Sequence, residues 1–200
     1  AARAVAGTDY ELASSVLEKI AASAAGGRIK AEAAAAIEHI SRYRDYIHVW
    51  MLSGPYTMKG KGGPELFDVA FAPEGPAATG AKWRPVSVTD GVAVDLRAVL
   101  GGENRCAYLR STLISPGKQE AMLELGSDDG VKAWLNGKLI HANNASRGLK
   151  PGEDKVRIAL RAGRNELMLK INNGGTDWGA CARITGPDGK PIRGLKVLAR

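Results

Sequence analysis

The chain has little of what enzymes are usually built from. It holds three His and two Cys in 200 residues, and it contains no G-x-S-x-G elbow, H-E-x-x-H pair or phosphate-binding Gly loop. No nucleophile sits beside a base in the sequence, which argues against catalysis. Cys106 and Cys181 form no C-x-x-C pair, so neither a metal knuckle nor a thioredoxin-type redox site is supported. Each lies in an apolar, strand-like segment where a buried free thiol is the expectation; a disulfide between them requires their strands to be neighbours. No cofactor and no metal are expected. No apolar run approaches the roughly 18 residues needed to span a bilayer, and no secretory leader is present. The chain opens A-A-R-A-V without Met, as a processed chain or a fragment would, and this leaves its location open.

What is present is a charge imbalance. Residues 1–137 carry 15 Lys and Arg against 16 Asp and Glu, whereas residues 138–200 carry 13 against 5. The whole excess of +7 therefore lies in the last third, where a basic face would favour an anionic partner over a neutral one. Aromatic residues are only 6% of the chain. None cluster around Arg157, Arg161 and Arg164, as single-strand nucleic-acid binding requires, so no nucleic-acid partner is expected.

The first forty-odd residues read as helix. Thr8-Asp9-Tyr10-Glu11 has the form of a capping box, and Leu12, Val16, Leu17 and Ile20 recur at helical spacing. Ala25-Gly26-Gly27 interrupts, and Ile29, Ala33, Ile37 and Ile40 repeat the pattern in a second, Ala-rich helix. Two such helices cover little apolar area, so the pair is expected to pack on the rest of the chain or on further helical pairs. From Tyr46 the pattern turns to short strands: 46–52, 83–88, 92–96, 106–114, 121–125, 131–135, 138–141, 155–160, 166–171 and 178–184. Ser53-Gly54-Pro55 is expected to end the first strand, and the Gly-rich stretch Thr57–Pro64 to be mobile. With no helical crossover available, the expectation is an antiparallel β-sandwich or jelly roll. The chain thus divides into a helical hairpin (1–42) and a β-sandwich domain (43–200), mainly β overall.

The most informative stretch is Ala121–His141. Gly126–Gly130 is a five-residue turn rich in Gly, Ser and Asp, and Asn136-Gly137 is the pair a two-residue type I′ turn favours. Together they predict a three-strand meander. The candidate site lies beyond it. His141, Asn143 and Arg147 occupy one polar loop, and Asp177 and Trp178 follow another; if the loops meet, they form a polar pocket with one aromatic wall, as sugar sites commonly have. With the basic last third, such a pocket would favour an acidic or sulfated glycan. Asp128 and Asp129 offer oxygens of the kind Ca²⁺ takes, but two acids are not six to eight ligands, and turn formation is the plainer reading. Trp50 reads as core, whereas Trp83 and Trp134 read as half exposed.

From Trp50 onward the order of motifs resembles a β-sandwich module found in large secreted or envelope proteins of planctomycetes and verrucomicrobia. The matching pieces include W-M-L-S-G-P-Y (50–56), A-Y-L-R-S-T (107–112), G-S-D-D-G-V-K-A-W-L-N-G-K (126–138), G-R-N-E-L-M-L-K-I (163–171) and W-G-A-C-A-R-I (178–184). S-D-D-G-V-x-x-W-L-N-G-K is also similar to the central hairpin of galactose-binding-like and protective-antigen-type sugar-binding modules, and the helical pair resembles the end of a HEAT-like repeat array. The resemblance implies a non-catalytic carbohydrate-binding-like or cell-surface module, extracellular or in the cell envelope. Its partners would be a glycan, acidic or neutral, and further helical repeats or neighbouring subunits. The alternative is a structural or assembly module mediating protein–protein contacts.

Overall fold

A computed structural model describes residues 10–75, 80–88 and 91–199; the Thr8 end of the expected capping box lies outside them. Helices α1 (Tyr10–Ser23) and α2 (Gly27–Arg42) form the hairpin. Their shared apolar cluster is small: Ala13 and Leu17 meet Ala36, Ile37 and Ile40. The expected stripe of α1 divides, because Leu17 is buried while Leu12, Val16 and Ile20 are 40% to 55% exposed. Residues 13 and 17 stand one turn apart on the line that faces α2. Residues 12, 16 and 20 lie about 100° round the helix, where one partner helix cannot cover them. The expected packing on the β-domain does not extend to the core, since this cluster shares no residue with that of the sandwich.

The rest is an antiparallel β-sandwich. One sheet runs β2 (Arg84–Ser87), β1 (Val49–Tyr56), β4 (Arg105–Ser115), β9 (Gly163–Asn173), β6 (Val131–Leu135), β7 (Lys138–Asn143), with β11 (Lys196–Leu198) also beside β4. The facing sheet runs β3 (Val94–Asp95), β10 (Gly179–Thr185), β5 (Gln119–Asp128), β8 (Asp154–Leu160). Alternation sets the faces: Val131, Ala133 and Leu135 of β6 are buried, as are Leu167, Leu169 and Ile171 of β9, while Lys132 and Trp134 point away from the core. Trp50 is fully buried and donates to Ile47 O at 3.0 Å. Two short helices, α3 (Gly63–Leu66) and α4 (Leu96–Leu100), were not foreseen; Asp95 caps the latter by accepting from Ala98 N at 2.8 Å. Among the described residues no helix is long and apolar enough to cross a membrane.

Three expectations need correction. The meander is really a sheet change: β5 pairs with β10 and β8, whereas β6 pairs with β9 and β7. G-S-D-D-G carries the chain from one sheet to the other, and composition alone does not reveal to which sheet a turn returns. The crossing is tight, because a Cβ on Gly130 would lie 2.6 Å from Asn172 Oδ1. The hairpin turn is as expected: Asn136 (φ 53) and Gly137 (φ 78) both have positive φ, the type I′ signature. Next, β1 runs on through Gly54-Pro55 to Tyr56, since its pairing with β4 shifts register between Ser53 and Tyr56 and Pro55 owes no ladder bond there. Finally, the Gly-rich stretch is fastened at its Gly63 end, while residues 57–61 are exposed. Gly63 N donates to Asn104 Oδ1 at 3.0 Å, and Asn172 Nδ2 donates to Gly63 O at 3.1 Å.

The segment joining β1 to β2 crosses the outer face of the large sheet and is pinned by Lys170. This Lys is fully buried, yet its ammonium donates to Phe67 O (3.0 Å), Val69 O (2.6 Å) and Glu74 Oε1 (3.0 Å), using all three protons. The Tyr108 hydroxyl also donates to Glu74 Oε1.

Candidate functional site

At one end of the sandwich three segments converge: the β5–β6 crossing, the β7–β8 loop and the β9–β10 loop. Asp128, Asp129, Ser146, Arg147, Gly148 and Gly174–Thr176 line a notch of about 440 Å³. A neighbouring notch of about 380 Å³ shares Asp128 and adds Asp95, Leu149, Asp177 and Trp178. The two loops expected to meet therefore do meet.

The expected aromatic wall is absent. Trp178 is 2% exposed and belongs to the core between the sheets. It directly precedes β10, and its carbonyl accepts from Leu96 N (3.0 Å) and Arg97 N (3.2 Å), which turns the indole inward to close the end of the sandwich. The polar loop before it suggested exposure, but the side chain follows the register of β10 and not the polarity of the loop.

His141, Asn143 and Arg147 converge as well, but on Asp154 and not on an open space. Asn143 Nδ2 donates to Asp154 Oδ1 at 2.9 Å, and Arg147 Nη2 donates to Asp154 Oδ2 and, at 2.8 Å, to Ser127 Oγ. Arg147 Nη1 lies 3.3 Å from Glu153 Oε2, and His141 Nε2 stands 3.5 Å from Asp154 Oδ1, outside hydrogen-bond geometry. Burial would raise the Asp154 carboxyl, but hydrogen bonds from Arg147 and Asn143 and the Arg147 charge outweigh it and hold the group below its ordinary value. Three of the five expected residues thus form an internal network joining β7 to β8. Arg147 presents its backbone, but not a free guanidinium, to the notch.

The residues left facing the notches are acids. Asp129 Oδ1 accepts from Arg147 N (3.0 Å) and Oδ2 from Gly174 N (2.8 Å). It ties the two loops together, which is a different role from the local turn bond expected of it. For Asp128 the support is a backbone hydrogen bond from Leu149. Desolvation, together with the charges of Asp129 and Asp177, pushes its carboxyl up to about 6. The peptide between the two acids is cis. For a metal, among the described residues no group of three or more His, Cys, Asp or Glu stands close enough to hold one. Asp128 and Asp129 together offer at most four carboxylate oxygens of the six to eight that Ca²⁺ takes, so a cation here would need further oxygens from backbone, water or a ligand. The basic excess of the last third is not displayed at this notch, whose acidic side chains are Asp128 and Asp129, with Asp177 in the adjoining one.

Both thiols are free and buried, and desolvation pushes Cys106 up to about 12 and Cys181 up to about 11. Burial lowers His48, whose Nε2 lies 3.0 Å from Tyr43 O.

No protein-family model matches the chain. No curated protein matches it either. Among solved structures, it is similar to a PA14 sugar-binding domain from an RTX adhesin, with 14% identity over 76% of this chain and 94% of that one, TM-score 0.47. It is also similar to the epithelial adhesin 9 A domain from Candida glabrata in complex with Galb1-3GlcNAc, with 10% identity over 76% and 89% of the two chains, TM-score 0.45. A third is a family 35 carbohydrate binding module from an environmental isolate, with 16% identity over 47% and 72%, TM-score 0.37.

Proposed function

We propose that the chain is a non-catalytic carbohydrate-binding-like module of a larger secreted or envelope protein, with its ligand site at the loop end. The observation that carries this reading is the convergence of Asp128, Asp129 and Asp177 on adjoining notches in a rigid frame. Sugar hydroxyls are donors as well as acceptors, and carboxylates held on fixed loops accept from them, while the backbone groups of Gly148, Gly174 and Gly175 offer both roles. The notch is negative, so the glycan is neutral. To hold a hard cation such as Ca²⁺, Asp128 and Asp129 would need further oxygens from backbone, water or the sugar itself; its charge would offset their mutual repulsion.

Isothermal titration of the full chain against neutral and uronic oligosaccharides, with Ca²⁺ or with a chelator, tests the reading. Neutral sugars should bind, and Asp128→Asn and Asp177→Asn should each weaken them about tenfold. Uronic binding that both variants leave intact would overturn it.

A second reading rests on the hairpin. Leu12, Val16, Ile20 and Ile29 are 40% to 55% exposed on two adjacent helices, an apolar surface of the kind that meets another protein or helical repeat. Replacing Val16 and Ile20 by Glu should disperse any self-association seen by analytical ultracentrifugation and leave glycan binding unchanged.

A further inference from the structure

A second cleft, of about 410 Å³, opens on the outer face of the large sheet, and Trp134 and Gly137, just past the Asp128–Asp129 crossing in sequence, are among its lining residues. Its floor is one cross-strand row: Arg110 of β4 faces Met168 of β9, which faces Trp134 of β6. Trp83, at the entrance to β2, forms the opposite wall, with Glu166 and Glu74 beside it. Both indoles are half-buried, so each offers part of a face to the opening.

The polar groups here are incompletely used. Arg110 stacks its guanidinium 4.3 Å from the Trp83 ring centroid, its Nε–H finds no acceptor, and its nearest carboxylate oxygen on Glu166 is 3.9 Å away, too far for a hydrogen bond. Contrast Glu74, which is fixed by Lys170 and Tyr108. At the rim, a Cβ on Gly137 would meet nothing within 4 Å, so the hairpin turn leaves lateral room.

We infer that this cleft is a separate sugar-binding site for one neutral pyranose unit of an oligosaccharide chain. The apolar C–H face of the ring packs on Trp134, an amphipathic surface suited to it, and its hydroxyls take up the spare donor capacity of Arg110 and the acceptor capacity of Glu166. Lys170 offsets the charge of Glu74 and Arg110 that of Glu166, so the cleft holds no surplus cation for an anionic sugar, and the open rim at Gly137 lets the chain continue past the hairpin. The site shares no residue with the loop end and does not depend on it.

The test uses the full chain, with tryptophan fluorescence and calorimetric titration against cellohexaose, xylohexaose and laminarihexaose, and trigalacturonate as the acidic probe. At least one neutral hexasaccharide should bind and shift the indole emission. Trp134→Ala and Glu166→Gln should each weaken it about tenfold or more, whereas Asp128→Asn should change it less than about twofold. Trp134→Phe and Glu166→Gln carry the test should Trp134→Ala fail to fold. The inference is overturned if no neutral probe binds at about 10 mM, or if Asp128→Asn abolishes binding that the cleft variants leave intact. Trigalacturonate binding about tenfold tighter than every neutral probe would overturn it too. Loss of loop-end binding alone leaves it standing.

Discussion

Two polar regions lie within a few residues of each other and are built on opposite terms. Around Asp154, and likewise around Lys170, each carboxylate faces an opposite charge and fixed donors, although Arg147 Nε and His141 Nε2 lack a hydrogen-bond partner. Around Asp128 the charged neighbours are Asp129 and Asp177, both of like sign, against a backbone hydrogen bond from Leu149, and among the described residues no cation pairs with it. Completed networks of the first kind fix a structure, because leaving one member alone in a low-dielectric interior is costly. A crowded, half-exposed acid of the second kind adds nothing to the fold, and it gains most from a ligand. The same contrast separates Glu74, fastened by Lys170, from Glu166 across the Trp cleft.

If that contrast holds, the largest effects on stability come from the completed networks. Lys170→Met removes the ammonium that ties Phe67, Val69 and Glu74 to the sheet, leaving two carbonyls without this donor and the Glu74 carboxylate with the Tyr108 hydroxyl but no cation. Thermal or denaturant unfolding should show a loss of about 3–5 kcal/mol, the range for breaking a buried pair. A loss below about 1 kcal/mol would mean the network is decorative. Arg147→Ala comes next, at about 2–3 kcal/mol, because Asp154 keeps some solvent contact. Its pH dependence gives a second check. The Asp154 carboxyl is depressed in the folded state, so its contribution is present above its unfolded value near 4 and is lost as pH falls through the lower folded value. The deficit of Arg147→Ala should therefore shrink in acid.

Much of the fold was legible in the sequence, and the missing parts have physical causes. Strands β4, β6, β8, β9 and β10 stand within a few residues of their expected places because alternation and turn residues agree there. Asn136-Gly137 shows its turn type directly, since few residues accept two positive φ angles in succession. The partnership of β5 was not legible, because G-S-D-D-G has the same composition whether the chain folds back or changes sheet. The candidate site was half legible. The meeting of the loops and the candidacy of Asp177 came from the polar stretches, but the inward turn of Trp178 depends on which strand it begins. The union of His141, Asn143 and Arg147 depends on Asp154, whose nearness no spacing announces. Nothing in the sequence marks Lys170, which is buried by the segment laid over it.

A smaller effect tests the hairpin that supplies Trp134 and Gly137 to the cleft. Gly137→Val places a β-branched residue at φ 78 with space around it, so the cost is conformational and not steric, about 1 kcal/mol or more. An unchanged melting temperature would show that the turn rearranges freely, and the cleft rim with it.

The smallest expected effect has the opposite sign, and it sharpens the contrast most. Desolvation and the charges of Asp129 and Asp177 push the Asp128 carboxyl up to about 6, so the folded chain retains a proton that the unfolded chain, with its value near 4, has already released. The penalty is absent below about pH 4, grows as pH rises toward 6 and is complete above it. Asp128→Asn removes the charge and should stabilise the unliganded chain at pH 7 by about 1 kcal/mol or less, because solvent screens a group this exposed, and it should give no benefit at pH 4. Calcium provides the complementary measurement. A cation accepted between the acids raises the wild-type melting temperature with concentration, as any ligand selective for the folded state does, and should leave Asp128→Asn unmoved. Equal calcium shifts in both chains would place the cation elsewhere, and a destabilised Asp128→Asn would make Asp128 a member of the supporting frame.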